Sequence, residues 1–180
     1  MGEFILFSFP TLLYLLVLTR RREHTVREAA RRAGMTIGSP ADYGWALLLA
    51  VPLLLAGWLA IVLIPRDVLS LPGVQIAQLT SAGAVAGVVL RAAGEEILFR
   101  GLLGGVLVRR LGFARGNAVQ SLLFLVPHLP LLAVDPRMLP ILPVQFAVGW
   151  LLGWLRERTG TLLPGAAVHA LSNLAAGLLA

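Results

Sequence analysis

The chain has 180 residues, of which 58% are hydrophobic and only 13% are charged, and its mean hydropathy is +0.85. A soluble domain carries roughly a quarter charged residues, so this composition excludes a water-facing surface and indicates that most of the surface faces lipid. The absence of cysteine excludes a disulfide framework, a thiolate metal site and a cysteine nucleophile.

Two apolar runs in the first 70 residues predict two transmembrane helices. The first run, Phe4–Leu18, is short for a span. It does not resemble a secretory signal, because arginines follow it and no small-residue cleavage site is present after it. Residues 20–38 are polar and rich in arginine, with a spacing typical of a short surface helix. The second run, Tyr43–Ile64, contains Pro52 and ends at a proline-containing turn.

The remaining chain predicts four further spans. The apolar stretch Val74–Val108 is longer than a ~30 Å hydrocarbon core requires, so we expect it to tilt, kink or extend beyond the membrane. Short loops separate the last three spans, at Asn117–Val134, Met138–Leu155 and Leu162–Leu179, so neighbouring helices should be antiparallel. We predict an all-α, polytopic transmembrane helix bundle of about six spans with its polar site inside.

The fifteen basic residues are all arginine and lie mostly between the apolar runs, where they indicate membrane topology. They form no basic groove with interleaved aromatic residues, so we expect no nucleic acid partner. If residues 20–38 are cytoplasmic and the chain alternates, eleven arginines are cytoplasmic and only Arg66 and Arg137 lie outside. The eleven lie at 20–32, 109–115 and 156–158. This predicts a multi-pass cell-membrane protein with cytoplasmic arginine-rich loops and both termini outside.

Four charged residues lie inside the predicted span Val74–Val108, where each costs about 2.5–3.5 kcal/mol on insertion scales and needs a partner or a function. Glu96 and Arg100 are four residues apart, as are Arg91 and Glu95, so each pair can meet on one helix face. Adjacent helical residues point about 100° apart, so we expect Glu95 and Glu96 to have different partners. We predict that Arg100 holds Glu96 and that Glu95 faces a cavity.

Two of the three histidines, His128 and His169, also lie inside predicted spans, and Asn173 shares a helix face with His169. Counted from the cytoplasmic ends, Glu95, His128 and His169 lie roughly 21, 18 and 13 Å deep. Three helices therefore bring these residues to a similar level, which favours a shared site. A buried polar network that only stabilises the bundle is the structural alternative.

These residue types suit the hydrolysis of an amide. A desolvated glutamate can act as a general base towards water, histidine can orient that water or carry protons, and an asparagine amide can donate to an oxyanion. Glu95, His128 and His169 could equally ligate a divalent metal. The spacing does not distinguish these mechanisms. We predict no cofactor and keep a divalent metal at these three residues as an open alternative.

Three motifs resemble those of the CAAX prenyl protease and bacteriocin-processing family (CPBP, or Abi) of intramembrane glutamic endopeptidases. EExxxR is present at residues 95–100, FxxxH at 124–128 and HxxxN at 169–173. The resemblance covers about residues 80–178, so residues 76–180 are interpreted as a CPBP-like catalytic core of four transmembrane helices. Residues 1–75 then supply two N-terminal transmembrane helices and the arginine-rich loop. One departure is that Pro127 and Pro130 flank His128, where proline distorts a helix.

The resemblance implies a catalytic set and a supporting set. The catalytic set is Glu95, which activates water, His128 and His169, which assist it, and Asn173, which helps to form the oxyanion hole. The supporting set is Glu96, Arg100 and Phe124. The implied function is an intramembrane endopeptidase, and its expected partners are the lipid bilayer and a membrane-associated peptide or protein, which is prenylated for the eukaryotic relatives. The alternatives are a non-catalytic membrane scaffold or bacteriocin-immunity factor, and an ion or proton carrier.

Overall fold

The computed structural model describes residues 2–21, 24–72, 74, 77 and 79–179, and every regular element among them is helical. The α-helices are α1 (Gly2–Arg20), α2 (Val26–Arg32), α3 (Pro40–Leu63), α4 (Arg66–Leu69), α5 (Ala82–Glu96), α6 (Gly105–Leu111), α7 (Phe113–Leu123), α8 (Pro130–Val134), α9 (Ile141–Thr159) and α10 (Leu163–Leu179). A π-helical segment, Ile97–Gly104, joins α5 to α6, and two 3-10 segments are Val126–His128 and Pro136–Met138. The predicted all-α class is confirmed.

Within the described part of the chain, four helical stretches are long and apolar enough to cross a membrane. They are Gly2–Arg20, Pro40–Leu63, Phe113–Val134 and Pro136–Thr159. The polytopic architecture is therefore confirmed, whereas the count of six spans stays a prediction. The two other candidates are the stretch from α5 to α6, which contains six charged residues, and α10, which has 17 residues.

The bundle is apolar outside and contains buried polar and charged residues inside. Along α1 and α3, large apolar side chains such as Leu6, Phe9 and Leu47 are exposed. Ten of the residues that the structure describes are both buried and polar or charged, among them Glu96 and Arg100. Because water-exposed apolar surface of this extent is unfavourable, this distribution fits a lipid-facing exterior around an interior that holds polar groups.

The long charged helix begins later than its apolar sequence suggests. We predicted a continuous stretch from Val74, but α5 starts at Ala82, where Ser81 is the N-cap and its Oγ accepts a hydrogen bond from the amide of Ala84 at 3.1 Å. Residues 75, 76 and 78 of that prediction lie outside the described part. From Ala82 the chain stays helical to Leu111, and it exceeds a ~30 Å membrane core, as expected.

The arginine-rich segments meet at one end of the bundle. Arg156 Nη2 donates to the carbonyl of Arg32 at 3.3 Å, and the amide of Leu162 donates to the carbonyl of Gly34 at 2.9 Å. At the opposite end, Arg137 pairs with Asp67 at 3.0 Å. Since α6 and α9 both end at the arginine-rich end, the α5–α6 stretch and α9 run in the same direction.

The surface helix predicted within residues 20–38 is α2, and a capping box begins it. Thr25 accepts from the amide of Glu28, whose carboxylate accepts from the backbone and hydroxyl of Thr25. These hydrogen bonds, the backbone one foremost, hold the pKa of Glu28 below its usual value.

Close helix packing positions the site. A cluster of buried apolar residues joins α3, α9 and α10, and it includes Leu53, Leu152 and Val168. Helices α7 and α9 approach closely at Gly149 and Gly153, two glycines four residues apart, as such a pair allows in membranes.

Candidate active site

The four residues of the predicted catalytic set line one cavity of about 740 Å³ inside the bundle. Glu95 comes from α5, His128 from the 3-10 segment before α8, and His169 and Asn173 from α10. Most of the other lining residues are apolar. An apolar cavity with a few convergent polar groups is the usual form of a small-ligand or substrate site.

Glu95 lies at the wall of the cavity and is 6% exposed. Arg91 Nε donates to its Oε1 at 3.0 Å, which is the pair that the four-residue spacing predicts. The same guanidinium reaches Glu3 of α1 at 3.4 Å, and both Glu3 and Arg91 line the cavity. The second oxygen of Glu95, Oε2, faces His169 Nε2 at 3.7 Å. Glu95 therefore keeps one oxygen on an arginine and directs the other towards a histidine.

Glu96 is fully buried and has two partners. Its Oε1 is 2.8 Å from Arg100 Nη1, as predicted, and 2.9 Å from His169 Nδ1. Because a carboxylate only accepts, Nδ1 of His169 is the donor and its Nε2 is left towards Glu95. The expectation that Glu95 and Glu96 have different partners is therefore wrong for His169. The Glu96 carboxylate approaches Nδ1 of the His169 ring and the Glu95 carboxylate approaches Nε2. Because these nitrogens lie on different sides of the ring, both carboxylates can contact the same histidine.

His128 sits where the helix that starts at α7 is broken. Pro127 and Pro130 flank it, and the chain forms a 3-10 segment there, so the predicted distortion is present. His128 Nδ1 lies 3.0 Å from the carbonyl of Phe124, which requires a proton on Nδ1 and leaves Nε2 as an acceptor. The Phe124 ring lies 5.4 Å from the ring of His128 and 6.1 Å from that of His169. Phe124 thus separates and orients the two histidines.

Arg100 joins the site to the neighbouring helix. Its guanidinium lies 4.3 Å from the centre of the Phe124 ring and contacts the carbonyl of Gly149 through Nη2 at 3.4 Å. Gln120 Nε2 donates to the same carbonyl at 3.1 Å. The predicted supporting residues Glu96, Arg100 and Phe124 therefore lie directly behind the cavity wall, and none of them lines the cavity.

Several cavity residues were not predicted from the sequence. Glu3 and Arg91 form a charged wall next to Glu95, and Gln145 and Ser172 add polar groups from α9 and α10. A glutamine within an otherwise apolar span was the available signal for Gln145. Glu3 gave no comparable signal, because a carboxylate at the start of a helix is common.

The metal alternative concerns Glu95, His128 and His169. Among the described residues, no group of three His, Cys, Asp or Glu side chains is arranged to hold a metal ion. Nδ1 of His169 already donates a hydrogen bond to the Glu96 carboxylate, and Nδ1 of His128 donates one to the Phe124 carbonyl. A metal would have to bind through the remaining Nε2 atoms of the two histidines.

Comparison with known proteins places the chain in a family. The family model for Rce1-like, type II CAAX prenyl endopeptidases matches residues 75–175, which is more than half of the chain and contains all three motifs. No curated protein and no solved structure matches the chain. The resemblance expected from the three motifs is confirmed by this match. The chain, a multi-pass helical bundle whose apolar cavity contains a few convergent polar groups, therefore belongs to the Rce1-like family of type II CAAX prenyl endopeptidases, a family of intramembrane proteases.

Proposed function

We propose that this chain hydrolyses a peptide bond of a membrane-associated substrate with water activated by Glu95. The observation that carries the proposal is that Glu95, His128, His169 and Asn173 line one cavity although they come from three separate segments of the chain. Burying ionisable groups in a membrane protein is costly, and such groups mark functional sites more often than not. The match to a family of intramembrane peptidases supports the same conclusion.

The reaction can be written with the groups that line the cavity. Glu95 takes a proton from water, and the hydroxide oxygen attacks the carbonyl carbon of the scissile peptide bond. The amide of Asn173 donates a hydrogen bond to the oxyanion, and a histidine Nε2 orients the water. The C–N bond then breaks, and the proton held by Glu95 passes to the leaving nitrogen. The products are a new carboxylate and a new amine.

The supporting residues keep the charges of this site in place. Arg91 fixes one oxygen of Glu95, so the other is directed towards the cavity. Glu96 holds His169 from behind through Nδ1, so that Nε2 faces the reacting groups. No step needs a metal ion, although a chelator must be included in the test.

The experiment compares purified protein with a Glu95→Gln variant on a panel of membrane-associated peptides that includes a prenylated one. Glu157→Gln is the matched control, because Glu157 is an exposed glutamate outside the large cavity. Each protein is assayed with and without a strong chelator. We expect cleavage by the wild type and Glu157→Gln, and a loss of at least about 100-fold in Glu95→Gln.

Each result has a definite meaning. Cleavage that survives Glu95→Gln contradicts the assigned base, and cleavage that a chelator abolishes contradicts the metal-free mechanism. A cellular function that survives Glu95→Gln in a folded protein favours the scaffold or immunity role. Ion or proton transport in sealed vesicles, without cleavage of any peptide, favours the carrier role. A preference for the prenylated peptide would identify the lipid group as part of the substrate.

A further inference from the structure

We propose that Gln145 is a substrate-binding residue that pairs with the main chain of an extended peptide in the cavity. This inference rests on the proposed function and specifies how the substrate is held. Gln145 belongs to α9, and it lines the large cavity together with Glu95, His128, His169 and Asn173.

Gln145 is an isolated polar residue in an apolar setting. The neighbouring α9 sequence, Ile141 to Leu155, contains no other side chain that is an amide, hydroxyl or charged group. A polar side chain in such a segment destabilises membrane insertion unless it gains a hydrogen bond. The carboxamide of Gln145 therefore needs a hydrogen-bond partner.

No such partner exists within the described part of the chain. The hydrogen bonds that reach α9 from other helices end on the carbonyls of Gly149 and Trp150, and none of those between described residues involves Gln145. Gln120, in contrast, is fully buried and donates to Ser121 at 2.9 Å and to Gly149 at 3.1 Å. Gln120 is a structural glutamine, whereas Gln145 lines the cavity and has no hydrogen-bond partner among the described residues.

The Arg100 guanidinium shows where Gln145 lies relative to the reacting groups. This guanidinium is 2.8 Å from the Glu96 carboxylate and 3.4 Å from the carbonyl of Gly149, so that carbonyl is level with the Glu96 carboxylate. Gln145 lies four residues before Gly149, so its main chain is displaced by about 6 Å along α9 towards the end of the bundle at which α9 begins. Gln145 therefore lies about one helical turn from the Glu95–Glu96 pair, on a different wall of the cavity.

The carboxamide of Gln145 and the apolar side chains around it suit an extended peptide as the ligand. A carboxamide offers one acceptor oxygen and two donor hydrogens, so it can pair at the same time with the N–H and the C=O of one residue in an extended peptide, because these two groups point to the same side of the chain. Around it the cavity is lined by apolar side chains such as Val144, Val148 and Leu131, which suit apolar substrate residues. The Ser172 hydroxyl already donates to the carbonyl of Val168 at 3.0 Å, so it is less available. The ligand class is an extended peptide with apolar side chains.

The test uses Gln145→Leu, with Gln120→Leu as the matched control, and it measures cleavage and thermal unfolding in detergent. We expect Gln145→Leu to raise KM about tenfold or more with kcat within about threefold, because two hydrogen bonds to bound peptide are lost. Its Tm should not fall, because no hydrogen bond within the protein is lost. Gln120→Leu should lower Tm, since it leaves buried groups without partners.

A second measurement identifies the peptide main chain as the partner. A series of peptides carries one N-methylated peptide bond each, and binding to the Glu95→Gln protein is followed by fluorescence, so that no cleavage is needed. At one position N-methylation should weaken binding in the Gln145 protein and have no further effect when Gln145→Leu is added.

The outcomes separate the two proposals. Unchanged KM and peptide binding in Gln145→Leu, or a fall in its Tm equal to that of Gln120→Leu, overturns the role of Gln145. Weaker peptide binding in Gln145→Leu, together with no cleavage by the wild type, retains the peptide site and contradicts the proposed hydrolysis. N-methyl effects that are equal in both proteins at every position overturn the main-chain contact.

Discussion

The Glu96 carboxylate forms an ion pair with Arg100 Nη1 at 2.8 Å and accepts a hydrogen bond from His169 Nδ1 at 2.9 Å, and all three side chains are buried. Glu95 differs, because its partner Arg91 is about one-third exposed, with 36% of its side chain accessible. Two neighbouring carboxylates therefore have unequal roles. One is tied into the fold, and the other is available to the cavity.

This difference predicts the effects of neutralising each carboxylate. Glu96→Gln leaves the Arg100 guanidinium buried without its counter-charge, and breaking a buried ion pair in this way costs about 3–5 kcal/mol. We expect a large fall in Tm for Glu96→Gln and a Tm close to the wild-type value for Glu95→Gln, measured by intrinsic fluorescence in detergent. Equal Tm values for the two variants would show that Glu96 has no greater part in stability than Glu95.

Side-chain pairs within one helix could be predicted from the sequence, whereas side-chain contacts between helices could not. The pairs Glu96–Arg100 and Arg91–Glu95 follow from four-residue spacing alone. The contacts of His169 with both carboxylates depend on how α10 packs against α5, which no local pattern encodes. Glu3 joins the cavity wall for the same reason.

Helices α7 and α9 pack through glycine, and this contact is specific. A methyl group at Gly153 would overlap the side chain of Asn117, and one at Gly149 would lie 3.2 Å from Ser121. Gly44 of α3 has no atom within 4 Å of such a methyl group. The glycine pair in α9 therefore has a packing function that Gly44 lacks.

Gly153→Ala should accordingly destabilise the bundle by about 1–3 kcal/mol, because Asn117 has to move from its hydrogen bond with the Trp150 carbonyl. Gly44→Ala should leave Tm unchanged or raise it, since alanine stabilises a helix relative to glycine. Thermal unfolding of the two variants side by side tests this. A Tm for Gly153→Ala at or above that of Gly44→Ala would mean that the interface repacks without cost.

The break at His128 leads to a second prediction for an element. Pro127 and Pro130 prevent a continuous helix, and the resulting 3-10 segment sets the position of the imidazole. Replacing both prolines by alanine allows the helix to continue and turns His128 away from its present position. We expect at least a tenfold loss of peptide cleavage with no loss of Tm. A fall in Tm in proportion to the loss of activity would assign the prolines a structural role instead.

The elements themselves were largely predictable, because long apolar runs have few alternatives to a helix in lipid. The exceptions are instructive. The start of α5 at Ala82 depends on the cap at Ser81, a weaker signal than the apolar run that precedes it. The π-helical segment Ile97–Gly104 was not predicted, because its hydrogen-bond pattern depends on the packing of the buried motif and not on local residue preferences.

For the whole molecule, the distribution of arginines between the two ends of the bundle predicts the orientation in the membrane. The arginine-rich segments meet at one end of the bundle, through Arg156 and Arg32, while Arg137 and Asp67 pair at the other. The alternation assumed from the sequence requires this separation of the two ends. The sequence alone could not indicate which distant helices pack together, so the contribution of α1 and α3 to the cavity lining was not predicted.

The chain contains no cysteine, so single cysteines report the position of each end without a background. Arg110→Cys and Arg137→Cys replace exposed residues at opposite ends of the bundle, and both are labelled in intact cells with a maleimide that does not cross membranes. The positive-inside rule predicts labelling of position 137 from outside and labelling of position 110 only after permeabilisation. Denatured samples of each variant control for the reactivity of the thiol. The reverse pattern would invert the proposed orientation, and labelling of both positions from outside would contradict a crossing between them and thereby the count of six spans.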